Sequence, residues 1–368
     1  MSKLGRVLVA MSGGIDSTVT AMMLHEQGYE VVGITMKTWD YANSGGSKKE
    51  TGCCSLDSIN DARAVAVQMG FPHFIIDIRD EFGDHVIDNF VDEYMAGRTP
   101  NPCVLCNTHI KWSALLKRAD AMDCEFIATG HYAQLNHAAE TGRWNVRKSA
   151  DDHKDQSYVL WGLSQECMAR SRFPLGHMTK PEVRQLAYDW GYEELSKKAE
   201  SFEICFVPDN DYRGFLKRRV PELEAQVAGG SFVSTTGEVM GKHEGYPFYT
   251  IGQRKGLGIA FGEPMYVTEI NAATNQVTLG RVDDLIRNGM SVGGMTLQKY
   301  ATLPENGLEL ITKVRYKDKG TLSLVEQLSP DLASIEFYAN VRGVAPGQSA
   351  VFYEGDDVVG GGLIHTSR

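Results

Sequence analysis

The sequence predicts an α/β protein: a parallel sheet with helices on both faces, followed by smaller β-rich modules. Three observations carry this. Short apolar, β-branched runs alternate with helical patterns as far as residue 129, which is the signature of strand–helix–strand units. A Gly/Ser turn joins the first such run to the first helical pattern. From Gly229 onward the texture changes to short alternating runs rich in Gly, Val, Thr and Tyr, with turn signals between them, as in small barrels. A chain of 368 residues implies two or three domains.

Residues 6–11 (RVLVAM) read as a buried strand and 12–17 (SGGIDS) as a turn. A helix follows, with Val19, Met22, Met23 and Leu24 on one face and Gly28 as its stop. Strands are expected at 30–36, 73–78 and 125–129, and helices at 57–69, 81–95 and 108–122. Ligands of such sheets bind at the carboxyl ends of the strands. Beyond Pro208, strands are expected at 265–270, 276–279, 310–316 and 349–353.

Composition excludes several classes. Hydrophobic residues at 42% and charged residues at 23% are ordinary globular values. No apolar run is long enough to span a bilayer, and residues 1–10 lack the pattern of a secretory leader, so a cytoplasmic chain with no membrane partner is expected. Seven scattered cysteines do not make a disulfide framework. The net charge of −10 argues against a nucleic-acid partner, although a total says little about one basic face.

The SGGIDS turn carries the clearest chemistry. Its glycines let backbone N–H groups approach an anion, the following helix N-terminus adds a positive dipole end, and the Ser12 and Ser17 hydroxyls can donate to phosphate. No lysine follows, so it is not the loop that grips the terminal phosphates of ATP in P-loop enzymes. It resembles the PP-loop of enzymes that cleave ATP to AMP and pyrophosphate. A second motif, NPCVLCN at 101–107, places Cys103 and Cys106 three apart, a spacing used in redox and metal sites. A further thiol, Cys205, lies in EICFVP at 203–208. Cys53, Cys54, Cys124 and Cys167 read as small buried apolar residues.

SGGIDS, GRTPNPCVLCN (97–107), ATGHY (128–132), KDQSY (154–158), EICFVP (203–208) and IGQRKGLG (251–258) occur in this order. Together they resemble the tRNA-specific 2-thiouridylase family, and the resemblance covers essentially the whole chain. It implies an α/β fold: a PP-loop, adenine nucleotide alpha hydrolase-like parallel sheet domain over 1–209, a small central β-rich domain over 210–280 that contacts tRNA, and a C-terminal β-barrel over 281–368. It implies an enzyme that replaces the C2 oxygen of a wobble uridine with sulfur. ATP adenylates the oxygen, Mg²⁺ neutralises the phosphates, and a persulfide supplies the sulfur.

Carried over residue by residue, the resemblance assigns nucleotide contacts to Ala10, Met11, Ser12, Gly13, Gly14, Ile15, Asp16, Ser17, Met36 and Gly130. Gly130 also suits a close approach to a flat adenine. Cys205 matches the persulfide carrier and Cys106 its partner nucleophile, so a Cys106–Cys205 disulfide is implied at the end of transfer. Both need a lowered thiol pKa, for which Lys111 and Lys154 are the candidate cations, their placement left to the fold. A segment around 197–208 is expected to order over the target base. Asn101, Pro102 and Cys103 match positions that touch the extruded base. His131, Lys154, Asp155, Gln156, Arg315, Tyr316 and Gln348 match positions that interact with tRNA. A cysteine desulfurase or sulfur-relay protein is the implied donor.

One departure stands out. Many relatives carry Asp where this chain has Cys103, and a thiol does not inherit an acid–base role from a carboxylate. Two readings follow. Cys103 lines the base pocket or joins thiol exchange; or Cys103, Cys106 and Cys205 hold a 4Fe–4S cluster with one open iron. Three such thiolates also suit zinc. Outside the family, the alternative is a PP-loop amidating ligase. The basic face needed for tRNA is expected from Lys111, Lys117, Arg118, Lys197, Lys198, Lys217, Arg218, Arg219, Arg254 and Lys255. Gln253–Lys255 lies on a glycine-flanked turn that reads equally as a hairpin or a phosphate grip.

Overall fold

The computed structural model describes residues 4–39, 55–198, 204–207, 209–259 and 262–368. Cys53, Cys54, Glu203 and Pro208 therefore lie outside the described residues. Contacts divide the chain into two compact units: Met1–Val86, Cys103–Asn210 and Asp356–Val358 form one, and Ile87–Pro102, Asp211–Gly355 and Val359–Arg368 form the other.

The first unit opens with β1 (Arg6–Ala10), α1 (Ile15–Glu26), β2 (Glu30–Lys37), α2 (Leu56–Met69), β3 (His73–Asp77) and α3 (Arg79–Phe82). After α4 (Asp88–Met95), which belongs to the second unit, come α5 (Pro102–Leu105), α6 (Trp112–Ala121) and β4 (Phe126–Ala128). The hairpin β5 (Gln134–Ala138) and β6 (Arg143–Arg147) follows, then α7 (Gln165–Arg170), β7 (Ser171–Arg172), α8 (Lys180–Asp189) and α9 (Glu193–Lys197). The sheet runs β3-β2-β1-β4-β7, and every neighbouring pair is parallel. Val7, Leu8 and Val9 of β1 are fully buried, as a central strand covered on both faces requires. Strand order reverses on either side of β1, so a crevice opens beyond the carboxyl ends of β1 and β4. The SGGIDS turn occupies that point.

Two expected helices prove irregular. The run at 81–95 breaks into α3, a π-helical turn over Gly83–Ile87, and α4. The helix expected from 108 begins earlier, at α5, and passes through a π-helical stretch over Cys106–Lys111 before α6. A 3.6-residue hydrophobic period does not register such widened turns. The β5–β6 hairpin escaped the sequence pattern because its residues are mostly half-buried and polar; Asp357 pairs with Arg147 beside it.

In the second unit, α10 (Tyr212–Arg219) and α11 (Leu223–Gln226) precede a sheet ordered β10-β11-β8-β9, from β8 (Ser231–Ser234), β9 (Val239–Lys242), β10 (Tyr266–Asn271) and β11 (Gln276–Gly280). Then β12 (Ile286–Leu297), β13 (Leu308–Lys313), β14 (Thr321–Ser329), β15 (Leu332–Arg342), β16 (Ser349–Glu354) and β17 (Asp357–Ser367) close into a six-stranded barrel, sealed by β12 pairing with β17. Closure removes the exposed edges. Val292, Val325, Ile335, Phe352 and Val359 fill the interior. The run expected at 310–316 ends as β13 at Lys313, which leaves Arg315 and Tyr316 on an exposed turn whose geometry Asp318 fixes through the Val314 N–H. Helix α4 packs within this unit: Tyr94 stacks on Tyr212 at 4.9 Å, Phe90 meets Phe215 edge-on at 5.9 Å, and the Tyr246 hydroxyl donates to the Met95 carbonyl.

Candidate active site

The turn after β1 is built for close backbone approach. Gly13 has φ +68°, and a Cβ there would sit 1.9 Å from the Ser58 carbonyl oxygen. Ser17 Oγ accepts from the Ser12 N–H at 3.0 Å and donates to the Gly14 carbonyl at 3.1 Å, which curls the loop over the start of α1. No side-chain cap hydrogen bond is made at Gly14, so no side chain competes there with an anion for the first N–H groups of α1. Ala10 ends β1, Met11 is buried with its N–H on the Ile34 carbonyl, and Met36 lies half-buried near the end of β2. Gly130 has a second reason to be glycine: a Cβ there would come within 2.8 Å of the Asp16–Ser17 backbone.

Two lysines reach this loop from far along the chain, and neither was legible locally. Lys180 Nζ lies 2.6 Å from Asp16 Oδ1, and the Tyr132 hydroxyl donates to the same oxygen at 2.8 Å. Lys198 Nζ donates to the Gly13 carbonyl at 2.9 Å and pairs with Asp61 at 2.6 Å. The KDQ segment is tied to the same framework. Gln156 exchanges bonds with the Tyr132 backbone, its Oε1 accepting from the Tyr132 N–H at 2.9 Å and its own N–H donating to the Tyr132 carbonyl at 2.8 Å. Asp155 accepts from the N–H groups of Ser149 and Ser157 and from the Ser157 hydroxyl. Lys154 is half-buried, with its N–H on Asp151 Oδ1.

His131 sits against Trp112 and Phe173, with Nδ1 2.7 Å from the Thr129 hydroxyl. Burial, reinforced by the Lys111 cation, holds its pKa well below the ordinary histidine value, so the imidazole is neutral near pH 7.

Cys103 lies in α5 and Cys106 opens the π-helical stretch. Solvent reaches Cys103, yet the protein around it desolvates the thiolate and pushes its thiol up; Cys106 adds to this, and Lys111 opposes it. Cys205 is exposed, and its neighbour Phe206 is buried against Phe82 at 5.9 Å and Trp39 at 6.4 Å. Phe206 thus anchors the turn while the thiol points outward. Neither Cys106 nor Cys205 is disulfide-bonded, nor is any other described cysteine, so the Cys106–Cys205 disulfide that the resemblance implies is not found. Among the described residues no three His, Cys, Asp or Glu side chains gather as metal ligands. Cys103, Cys106 and Cys205 therefore do not fit a 4Fe–4S cluster or zinc here. Cys124 is buried as expected, whereas Cys167 is only half-buried.

Within the second unit, Asn101 is half-buried and Pro102 buried. Gln348 donates its side-chain amide to the carbonyls of Thr99 and Pro100 just upstream. Arg315 lines a shallow concavity of about 250 Å³ with Asp318, Thr321, Asn340, Val341 and Arg342, and Tyr316 stands exposed beside it. Arg254 and Lys255 are exposed on a turn between Gly252 and Gly256, both at positive φ. Of the cations expected to make a basic face, Lys197, Lys198, Lys217 and Arg219 are paired with Glu193, Asp61, Glu224 and Asp88.

Family models cover this architecture in three parts. One described as "tRNA methyl transferase HUP domain" matches residues 5–209, "tRNA methyl transferase PRC-barrel domain" matches 213–281, and "Aminomethyltransferase beta-barrel domain" matches 296–364. A protein of Cytophaga hutchinsonii named tRNA-specific 2-thiouridylase MnmA is 64% identical over 367 residues, covering 100% of this chain and 99% of its own. One of the same name from Salinibacter ruber is 56% identical, covering 99% of this chain and 95% of its own.

The chain belongs to the tRNA-specific 2-thiouridylase family.

A solved 4-thiouridine synthetase–RNA complex with bound ATP is a looser likeness, at 17% identity and TM-score 0.37 over 59% of this chain and 51% of that one. Of the family's motif pattern, the first unit joins SGGIDS to the KDQ segment by hydrogen bonds through Tyr132 and sets Gly130 closely against the Asp16–Ser17 backbone. Lys180 and Lys198 are additions to that pattern. A helical pattern with a Thr179/Glu182 start signal was the available clue to Lys180.

Proposed function

We propose that this chain is an ATP-dependent tRNA-uridine 2-sulfurtransferase that converts a wobble uridine to 2-thiouridine in the cytoplasm. The carrying observation is full-length identity of 64% to a protein named for that activity, with the SGGIDS loop standing at the switch point of a parallel sheet. No described helix is long and apolar enough to cross a membrane.

The chemistry follows from a poor leaving group. A uracil oxygen departs only once activated, and transfer of AMP to O2 makes it one. The α1 N-terminus and the loop N–H groups hold the phosphates while O2 attacks the α-phosphorus and pyrophosphate leaves. Mg²⁺ bound to the nucleotide supplies charge neutralisation as pyrophosphate departs. Asp16, the carboxylate of the loop, is held by Lys180 and Tyr132, and no group of three acidic, His or Cys side chains gathers among the described residues, so the metal would rest on the nucleotide's own phosphates.

Cys205 carries the sulfur as a persulfide loaded by a desulfurase or relay protein. Its exposure suits delivery from outside. The Cys106 thiolate attacks the inner sulfur, hydrosulfide is released to C2 of the activated base, and AMP leaves with the original oxygen. The pair of thiols ends that turnover joined, and an external thiol reductant returns both to the free state. Asn101, Pro102 and Cys103 line the base, with Cys103 as a neutral thiol. Lys154, Arg315, Tyr316 and the Arg254–Lys255 turn meet RNA, and His131 meets it as a neutral hydrogen-bonding ring. The division into 1–209, 210–280 and 281–368 is part of the same reading.

The test is tRNA-dependent release of pyrophosphate, run alongside C205S. The variant is expected to bind ATP and tRNA normally and to lose thiolation. Full thiolation by C205S removes that residue from the mechanism; pyrophosphate release indifferent to tRNA returns the chain to another PP-loop activity.

A further inference from the structure

Asp16 and Lys180 each occupy an electrostatically awkward position. Asp16 lies in the first turn of α1, where a carboxylate is welcome to the helix dipole but repels the phosphates that the same helix end would hold. Lys180 is the first residue of α8, where a cation opposes that helix's own dipole. Its side chain is only 8% exposed. Lysines are rarely buried so deeply without a partner, and here the partner is Asp16 at 2.6 Å.

Lys180 is also fixed from behind. Its backbone N–H donates to the buried Asp151 carboxylate at 2.9 Å, and Glu182 clamps the Thr179 N–H and hydroxyl that start α8. Its ammonium lies 5.7 Å from the centre of the Tyr132 ring, whose hydroxyl holds the same Asp16 oxygen. The cation is delivered to one carboxylate in one geometry.

We propose that Lys180 is a positioning residue for the phosphate loop. It holds and neutralises Asp16, so that the open N–H groups of α1 meet a nucleotide triphosphate without a competing negative charge. This does by tertiary contact part of what a loop lysine does in P-loop enzymes. The inference rests on the ATP reading of the loop.

The test is ATP affinity of the full chain by calorimetry for wild type, K180M, D16N and D16N/K180M, with thermal melts of each. K180M exposes an unpaired carboxylate beside the phosphates and is expected to weaken ATP binding roughly tenfold. D16N leaves the cation and is expected to bind ATP at least as tightly as wild type, although both single variants melt lower. The double variant is expected to recover most of the affinity lost in K180M. Opposite signs for the two single variants are what a purely structural ion pair does not produce. Equal ATP affinity in K180M and wild type overturns the proposal, as does loss of ATP binding in folded D16N; should K180M not fold, the D16N result alone decides. A wild-type protein that does not bind ATP sinks the underlying reading instead.

Discussion

Gln348 and Pro100 are separated by most of the chain, yet the Gln348 amide donates to the Pro100 carbonyl at 3.0 Å and to the Thr99 carbonyl at 3.2 Å. The neighbouring Pro346 carbonyl accepts from the Thr99 N–H at 2.9 Å, and Gly347, at φ +90°, leaves no room for a Cβ against the Thr99 oxygen. A turn of the barrel thus holds the backbone that presents Asn101. Gln348, expected from the resemblance to interact with tRNA, also braces this backbone through its side-chain N–H groups.

The consequence is measurable. Each of these hydrogen bonds contributes about 0.5–1.5 kcal/mol, so Q348A is expected to lower thiolation at saturating tRNA up to roughly tenfold while tRNA affinity changes little. A loss confined to tRNA affinity, with turnover intact, contradicts the bracing role and points to direct contact with tRNA.

Gly13 and Gly14 are adjacent but not equivalent. Gly13 has positive φ, and its added Cβ meets the Ser58 backbone, whereas a Cβ on Gly14 meets only Ser12 Oγ at an ordinary 3.5 Å. G13A is expected to cost at least about 1–3 kcal/mol and to lose ATP binding. G14A is expected to keep its stability. Thermal melts with and without ATP check both; equal effects contradict the geometry.

The pH dependence of stability carries the mark of His131. Its folded pKa is held well below the ordinary histidine value, first by burial and then by Lys111. As pH falls below about 6.5 the unfolded chain takes up the proton first, so this contribution is full above that value and is lost below it. H131Q is expected to show a shallower fall in melting temperature between about pH 7.5 and 5.5. His73 and His243, also lowered by burial, retain part of the slope in the variant.

Phe206 anchors the turn that carries Cys205. Its ring is buried between Phe82 and Trp39 while the adjacent Cys205 is exposed. F206A removes about 3–5 kcal/mol of packing. It is expected to lower thiolation far more than tRNA-dependent pyrophosphate release; parallel loss of both would show that the anchor serves the whole fold.

What the sequence made legible was local. The β1 run, the SGGIDS turn and the α1 pattern are contiguous, and their chemistry is decided by neighbours in the chain. The same holds for the alternating runs of the barrel, although β12–β17 closure has no local signature. Lys180, Lys198 and Gln348 could not be read this way, because each acts on a loop far away in the chain and only folding supplies the partner. The π-helical stretch beginning at Cys106 was hidden for another reason: it keeps helical composition while changing the turn. The cluster reading failed on placement, since cysteine spacing fixes how near Cys103 and Cys106 lie and says nothing about Cys205.

The most direct measurement is nucleoside mass analysis of unmodified tRNA with a wobble uridine, after incubation with the wild-type chain, ATP and a persulfide donor. The expected product is a nucleoside heavier by one oxygen-to-sulfur exchange at that position, formed only when ATP is present. Unchanged uridine with every reagent supplied, or sulfur gained without ATP, contradicts it.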